Sequence, residues 1–317
     1  MTIRGFFAAL LVLIIASLGI TVIFYSERQT KRHRKELLTI VVTTGMIGDT
    51  VRNIVGDQAK VITMMGPGVD PHTYEATVVD AINLNNSDLV FYNGLHLEGP
   101  MHHSFNSLAR YKKVYPVSNA LDPKMILQDP NFPAGKDPHI WFDVTIWIRV
   151  ARFICDKIKL YDPANASFYE GNTKRYIQQL QILHQEIQNA INSIPIAKRK
   201  LVASHDAFGY FGRCYSLQVV SLQNISTVTE PSTYQRIALK KFIIQHGIKA
   251  IFLEYSVNHK GMYSIQEDCR KAGHSVACYT IYSDTIGESG TQEGTYIGAM
   301  KHNLKMIIKG LRSCKTK

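Results

Sequence analysis

A single uninterrupted helical segment divides this sequence into two similar parts. Residues 165–194 contain no proline and only one glycine. Their apolar residues recur with the 3.6-residue period of an amphipathic helix. The periodic residues are Tyr176, Ile177, Leu180, Leu183, Ile187 and Ile191. A helix of this length spans about 45 Å, with Pro163 near its start and Pro195 at its end. The sequence therefore predicts one long helix with a folded unit on either side.

Short apolar strands alternate with helices on both sides of the long helix. The strands are predicted at residues 38–44, 60–65, 89–92, 114–117, 201–204, 218–222, 250–254 and 275–279. The remaining helices are predicted at residues 47–55, 77–84, 145–159, 208–215, 234–246, 265–272 and 296–309. Short apolar strands joined by helical crossovers favour parallel sheets that are covered by helices.

The predicted fold class is α/β, with two lobes that are each a parallel sheet flanked by helices and that are joined by one long rigid helix. Residues 37–162 form the expected N-terminal lobe, residues 163–195 the connecting helix and residues 196–317 the C-terminal lobe. Ligands of parallel α/β folds bind at the carboxyl ends of the strands. The cleft between the two lobes is therefore the expected site.

The N-terminal residues 1–36 are predicted to be a signal peptide or an uncleaved membrane anchor with a basic flank. Residues 6–25 carry no charge and are long enough to span a bilayer as a helix. Five lysines and arginines follow between residues 28 and 35, which by the positive-inside rule favours a cytoplasmic body. No cysteine follows the apolar run, so lipid attachment is not expected. Charge alone therefore argues against export of the body.

The distribution of charge argues against nucleic-acid binding. The formal net charge is +11, but residues 1–36 contribute +4 and residues 301–317 contribute +6, which leaves +1 for the body. A nucleic-acid-binding face needs a basic stripe on the folded body. The composition, with 45% hydrophobic and 19% charged residues, is that of a globular chain and excludes a disordered or polytopic membrane protein.

The five cysteines do not identify the compartment. They have neither CxxC nor zinc-finger spacing. A disulfide between Cys269 and Cys278 is conceivable, and five unpaired thiols are an equally good interpretation.

Four segments place a potential metal ligand in a loop or just after a predicted strand. They are GVDPHTYE with His72, DPHIWFD with His139, SHDAFGYF with His205, and YSD with Asp284. Neutral imidazole suits zinc, manganese or iron, and a carboxylate adds charge neutralisation. Glu75 and Asp143 follow two of the histidines and are candidates to orient the rings or to cap the next helix. Asp-Pro also simply starts turns, so spacing alone leaves a structural role open.

These segments resemble the ZnuA/TroA-type family, the extracytoplasmic zinc- and manganese-binding components of ATP-binding-cassette importers. The resemblance covers about residues 38–310, and the stretch Thr-Glu-Pro-Ser at residues 229–232 also matches. It implies the two-lobed fold and a body in the periplasm, where residues 5–25 tether the protein if they are not cleaved. It also implies one divalent transition metal carried by His72, His139, His205 and Asp284. The implied partners are a membrane permease and a separate ATPase, with the protein itself a monomer and not an enzyme.

The sequence departs from this family in two places. It has no lipid-attachment cysteine, and residues 99–137 lack the long loop rich in histidine and acidic residues that many zinc-dedicated members carry. His96, His102 and His103 stand nearby, either as a shortened metal-collecting loop or as ordinary surface histidines. Three histidine ligands favour zinc, whereas Asp284 and the missing loop leave manganese or iron open.

Two other functions are weighed against metal import. A zinc hydrolase would use Glu75 or Asp206 as a general base and would need an open coordination position for water. A surface adhesin would use the basic face of the last helix to contact anionic surfaces. That face carries Lys301, Lys305, Lys309 and Arg312.

Overall fold

The computed structural model describes residues 37–129, residue 132 and residues 134–312. The expectations for residues 1–36 and for Cys314 lie outside the described residues. From Thr39 onward, the described chain belongs to one compact unit. Within the described part of the chain, no helix combines the length and the apolar character that crossing a bilayer requires.

Two four-stranded sheets form the framework, and both have the same strand order. The first sheet, in the order β2-β1-β3-β4, contains β1 (Leu38–Val42), β2 (Ala59–Thr63), β3 (Leu89–Tyr92) and β4 (Lys113–Pro116). The second, in the order β6-β5-β7-β8, contains β5 (Lys200–Ala203), β6 (Gln218–Ser221), β7 (Ala250–Glu254) and β8 (Ala277–Ile281). The pairs β1–β3 and β3–β4 are parallel, and so are the pairs of the second sheet. The predicted α/β class with two parallel sheets is confirmed.

Nine helices connect and cover these sheets in the described chain. They are α1 (Gly45–Val55), α2 (Val78–Asn86), α3 (His102–Leu108), α4 (Val144–Tyr161), α5 (Ala166–Asn192), α6 (Gly209–Tyr215), α7 (Thr233–Gln245), α8 (Lys260–Lys271) and α9 (Tyr296–Arg312). Each sheet builds a core with its own helices. Val41, Val90 and Phe105 lie in the first core, and Val202 and Ile251 lie in the second.

The long helix α5 is slightly shorter than its sequence predicts. It has 27 residues, which corresponds to about 40 Å, and a short 3₁₀ turn at Pro163–Asn165 precedes it. It ends at Asn192 rather than at Ile194: Ser193 still has α-region dihedral angles, but Ile194 directly precedes Pro195 and is disfavoured in the α conformation. Its periodic apolar face is buried, and α1, α4 and α9 pack against it.

Two other features differ from the sequence-based expectations. Helix α3 was not predicted, because seven residues are too few for a helical period to be recognised. The conceivable disulfide is absent: Cys269 and Cys278 are free thiols, as are Cys155 and Cys214.

Buried polar contacts join the two lobes on the side of the long helix. The Asp49 carboxylate of α1 accepts a hydrogen bond from the backbone N–H of Tyr296, at 3.0 Å, and so caps α9 across the lobe boundary. The Trp147 ring of α4 stacks on the Tyr296 ring with centroids 5.4 Å apart. This side of the molecule is therefore held by directional as well as apolar contacts.

A pair of helical glycines tests the packing of the last helix. A Cβ atom at Gly310 would lie 2.7 Å from the Phe252 ring and 2.9 Å from Ala250 Cβ. We expect Gly310→Ala to lower the free energy of unfolding by about 1–3 kcal/mol through overpacking, as measured by urea denaturation.

The matched control is Gly171→Ala in α5, where the added Cβ would meet only the Arg175 guanidinium, at 3.9 Å. Alanine is a better helix former than glycine, so the free energy of unfolding of this variant should increase by about 0.5–1 kcal/mol. Equal stabilisation of both variants would contradict the close packing of α9 on the second sheet.

Candidate metal centre

His72, His139, His205 and Asp284 come together at one point between the two sheets. Their potential ligand atoms all lie within 4.8 Å of one another, and all four residues are buried. His72 Nε2 lies 3.2 Å from His139 Nε2, which lies 3.3 Å from His205 Nε2. The Asp284 carboxylate oxygens lie 3.4 Å from His139 Nε2 and 3.1 Å from His205 Nε2. Three imidazole nitrogens and one carboxylate therefore face a common centre.

These separations suit tetrahedral coordination of a transition metal. Ligand bonds of about 2.0–2.1 Å in a tetrahedron place the ligand atoms about 3.3 Å apart. Both Asp284 oxygens are buried without a hydrogen bond among the described residues. A buried carboxylate that lacks hydrogen bonds is expected to be compensated by positive charge. The donor set thus fits a divalent ion such as zinc, manganese or iron.

The ends of the parallel strands bring these four side chains together. His205 follows β5 and Asp284 follows β8 in the second sheet, while His72 follows β2 in the first. His139 precedes a short 3₁₀ turn, Ile140–Phe142, in the segment between β4 and α4. Each lobe contributes two side chains, so the site is complete only when the lobes face each other.

A carboxylate fixes the ring of His139 from behind. Asp137 Oδ1 accepts a hydrogen bond from the His139 backbone N–H, at 2.9 Å, and lies 2.8 Å from His139 Nδ1. The turn is held further by the Tyr210 hydroxyl, which donates to the Asp137 carbonyl. With Nδ1 engaged, Nε2 is the nitrogen that faces the centre.

Glu254 has the same role for His205. It ends β7 and is fully buried. Its Oε1 accepts from the backbone N–H groups of Ser204 and His205, at 2.8 and 2.9 Å, and its Oε2 lies 2.5 Å from His205 Nδ1. Each ring is thus paired with a carboxylate that also accepts from the backbone N–H of the same residue; the contact to the ring is a hydrogen bond for Asp137 and an ion pair for Glu254.

His72 is held differently. Asp70 Oδ1 accepts from the His72 backbone N–H, at 2.9 Å, as Asp137 does for His139. Its other oxygen instead accepts from the Thr227 hydroxyl in the second lobe. Among the described residues, no carboxylate engages the His72 ring from behind, and the ring contacts the imidazoles of His139 and His205.

Burial and the neighbouring charges raise the pKa values of His139 and His205 and lower those of His72 and Asp284. Burial opposes protonation of His139, but Asp137 and Asp284 outweigh it and raise its pKa to about 9. Burial also opposes protonation of His205, and the charges of Glu254 and Asp284 raise its pKa well above its usual value. For His72 burial dominates and lowers the pKa to about 3. Burial would raise the pKa of Asp284, yet the two charged imidazoles hold it well below its usual value.

Aromatic side chains surround the centre and join the lobes. The Trp141 indole N–H donates to the Ser283 carbonyl across the cleft, at 3.0 Å, and the Tyr296 hydroxyl donates to the Trp141 carbonyl. Phe142 packs on Phe208 with ring centroids 4.3 Å apart. Trp141 also contacts the His139 ring, with centroids 5.3 Å apart, so these aromatic side chains pack directly against the centre where the lobes meet.

Of the two carboxylates predicted either to orient the rings or to cap the next helix, Asp143 takes the capping role, while the rings are oriented by Asp137 and Glu254. Glu75 is exposed, and Asp143 caps α4 by accepting from the Thr145 and Ile146 backbone N–H groups. Asp137 was identifiable in principle as the first residue of the second Asp-Pro-His tripeptide. Glu254 had no sequence signal, because it lies far from His205 in the chain and meets it only through strand pairing.

Residues 40–310 match the family described as Zinc-uptake complex component A periplasmic. The chain belongs to this family. The resemblance inferred from the sequence segments is thereby confirmed.

Members of this zinc-uptake family with different named metals are similar to the chain. The zinc-binding protein TroA of Treponema pallidum (strain Nichols) is 38% identical over 275 residues, covering 86% of this chain and 88% of TroA. The manganese-binding lipoprotein MntA of Bacillus subtilis (strain 168) is 37% identical over 280 residues, covering 87% of this chain and 90% of MntA. A solved structure of the periplasmic zinc-binding protein TroA superposes with a TM-score of 0.85 at 37% identity, covering 87% of this chain and 99% of that structure.

The nearby histidines do not form a second group of ligands like that of the centre. The His96 and His102 rings stack with centroids 4.8 Å apart, and His102 Nε2 is hydrogen-bonded to the Asn106 amide. In the described chain, the four residues of the centre are the one group in which three or more ligand atoms lie close together. His96 and His103 are exposed.

Metal binding should release protons. Ligation requires neutral imidazole, whereas the raised pKa values of His139 and His205 keep both rings protonated at neutral pH in the metal-free protein. We expect about two protons to leave per zinc bound at pH 7, and metal affinity to increase with pH as long as these two rings are protonated in the metal-free protein. Calorimetric titration in buffers of different ionisation enthalpy measures this number. Release of no proton at pH 7 would contradict the charge arrangement.

The carboxylate behind His205 should strengthen metal binding without contacting the metal. Glu254→Gln keeps the shape but weakens the hold on His205 Nδ1, and we expect about a 10–100-fold loss of zinc affinity. Glu267→Gln in α8, where the half-buried carboxylate pairs with Arg270 and Lys271 of the same helix, is the matched control. Competition with a chromophoric chelator measures the zinc affinity of both variants. If Glu254→Gln binds zinc as tightly as the control, Glu254 does not orient the ring.

Proposed function

We propose that this protein captures a divalent transition metal outside the cytoplasm and delivers it to a membrane permease for import. The ligands are His72, His139, His205 and Asp284. The strongest support for this proposal is that ligand atoms from both lobes converge at separations that suit tetrahedral coordination. The metal is the cargo of the protein and not a resident cofactor.

Membership of the zinc-uptake family supports a permease and an ATPase as partners and the periplasm as the compartment. Relatives such as the manganese transporter protein PsaA of Streptococcus mitis are named substrate-binding lipoproteins of ABC transporters. The partners of this chain are accordingly a permease and a separate ATPase, and the body acts as a monomer. Where residues 5–25 are not cleaved, they tether the body at the periplasmic face, since no cysteine that could carry a lipid lies between them and Cys155.

Zinc is the favoured cargo. Three imidazoles form a softer donor set than the oxygen-rich sites preferred by manganese. The aspartate carboxylate keeps manganese and iron acceptable. Relatives of nearly equal identity are named for zinc and for manganese, so the donor set carries this choice.

The protein acts by binding and release and catalyses no reaction. A catalytic zinc site keeps one position open for water, whereas here four buried side chains surround the centre. Glu75 is exposed and leaves the hydrolase without that base. Asp206 is partly buried and adjoins His205, but an open position for an attacking water is still required.

The basic face of α9 is largely engaged within the protein, which disfavours the adhesin hypothesis. Lys301 pairs with Glu186 of α5 at 2.8 Å, and the Lys309 ammonium lies 5.2 Å from the centre of the Tyr279 ring. Arg312 donates to the Ser193 hydroxyl. These contacts anchor α9 to its neighbours rather than present a free cationic surface.

Metal analysis of the protein purified from its native host tests the proposal. We expect about one zinc per chain in the wild type, by mass spectrometry, and loss of that zinc in His139→Ala with an unchanged circular dichroism spectrum. His103→Ala, which removes an exposed imidazole, is the control and should keep the metal.

The alternative results separate the hypotheses. Manganese or iron in place of zinc would keep the importer and overturn the choice of metal. A His139→Ala protein that retained wild-type metal content would overturn the assignment of the site.

A further inference from the structure

His72 is the least anchored of the four metal-facing side chains. It has no carboxylate behind its ring among the described residues, unlike His139 and His205. It is also the most exposed of the four, at 5%, against 0% for the other two histidines and 2% for Asp284. The loop that carries His72 is therefore the element whose displacement would open the centre with the smallest loss of contacts.

Two hydrogen bonds tie this loop, residues 66–74, to the second lobe in the described structure. The Gly68 backbone N–H donates to the Thr285 hydroxyl at 3.0 Å. The Thr227 hydroxyl donates to Asp70 Oδ2 at 2.5 Å. Gly68 has a φ of +76°, which only glycine adopts readily, so the loop is shaped to reach Thr285. The Thr227 bond has a charged acceptor and is the stronger of the two.

A cavity of about 300 Å³ lies immediately beside the Thr227 bond. Asp70 and Thr227 both line it, and so does Ser204, the neighbour of His205. Its other polar lining includes Gln223, Ser256, the carboxylate of Glu230 and two cations, Arg236 and Lys260. Glu230 is exposed, so the cavity is open to solvent, and through Ser204 and Asp70 its wall lies one residue from His205 and two residues from His72. The Asp70 and Glu230 carboxylates balance the two cations, and the hydroxyl and amide oxygens around them suit the passage of a partly hydrated divalent ion.

We propose that the metal enters and leaves through this cavity, and that the hydrogen bond between Thr227 and Asp70 is the latch that closes the His72 loop over it. This inference rests on the proposed function and adds the route and the residue that controls it. Thr227 is a positioning residue, because it acts through Asp70 on His72 and does not touch the metal. Trp141 is held by its hydrogen bonds to Ser283 and Tyr296 and is not part of the cavity lining.

Removal of the latch should accelerate metal release. In Thr227→Val the hydroxyl is replaced by a methyl group of similar size, and we expect zinc to dissociate about tenfold faster, the effect of losing one hydrogen bond to a charged group. Stopped-flow mixing of the zinc-loaded protein with excess chelator measures the rate. Thr227→Ser keeps a hydroxyl and should restore the slow rate. Thr229→Val, an exposed substitution in the same loop, is the matched control.

The absorption spectrum of the cobalt-loaded protein distinguishes a latch from a role of Thr227 in shaping the ligand geometry. If Thr227 acts as a latch, the d–d absorption of the cobalt(II)-loaded protein is the same in wild type and Thr227→Val, since the closed ligand geometry is unchanged. A changed spectrum would mean that Thr227 shapes the ligand set, and would overturn the latch. An unchanged release rate in Thr227→Val would also overturn it.

The route is tested by narrowing the cavity. Ser264 lines it away from the ligands, and we expect Ser264→Tyr to slow zinc association and dissociation by the same factor, with no change in affinity. Unaltered rates would overturn the route. A wild-type protein that binds no zinc, manganese or iron would instead overturn the proposed function, so the two failures are distinguishable.

Discussion

The balance of charge at the buried centre is the constraint on which the rest of the structure depends. Asp137, Glu254 and Asp284 lie buried around three imidazoles, and buried carboxylates are tolerated only where positive charge compensates them. Because the pKa values of His139 and His205 are raised, both rings are protonated without metal and supply two positive charges. A divalent ion supplies the same two charges when it displaces these protons. Loading therefore leaves the net charge of the centre unchanged, which is consistent with a small structural response.

The position of the centre follows from the repetition of one sheet topology. Both sheets have the same strand order, and their carboxyl ends supply ligands from opposite sides of the cleft. On the side of the long helix the lobes are held by the capping of α9 by Asp49 and by the aromatic contacts of Trp141. On the other side the His72 loop depends on two hydroxyl hydrogen bonds. This asymmetry places any opening of the site at the loop, while the lobes keep their arrangement.

Much of the fold was predictable because its elements are strongly patterned. The strands at Leu89–Tyr92 and Ala250–Glu254 have the predicted ends, since they are short apolar runs with polar residues on both sides. Most other ends differ from the prediction by one to five residues, although β1, β6 and α9 begin, and α1 and α6 end, at the predicted residues. Helix α8 begins at Lys260 rather than at Ile265, and its buried residues Met262, Ile265 and Cys269 keep a helical spacing from the first turn onward. The short helix α3 has no such pattern and was missed.

The sequence by itself determined the two-sheet class, the long connecting helix and the four side chains that face the centre, because local periodicity and the Asp-Pro-His turns are properties of contiguous residues. Only the tertiary structure decided which carboxylates orient those side chains. Glu254 reaches His205 across paired strands, and Thr227 reaches Asp70 across the cleft. Such contacts join residues about 50 and 157 positions apart. No local pattern encodes them, since they depend on how the two sheets are placed around the long helix.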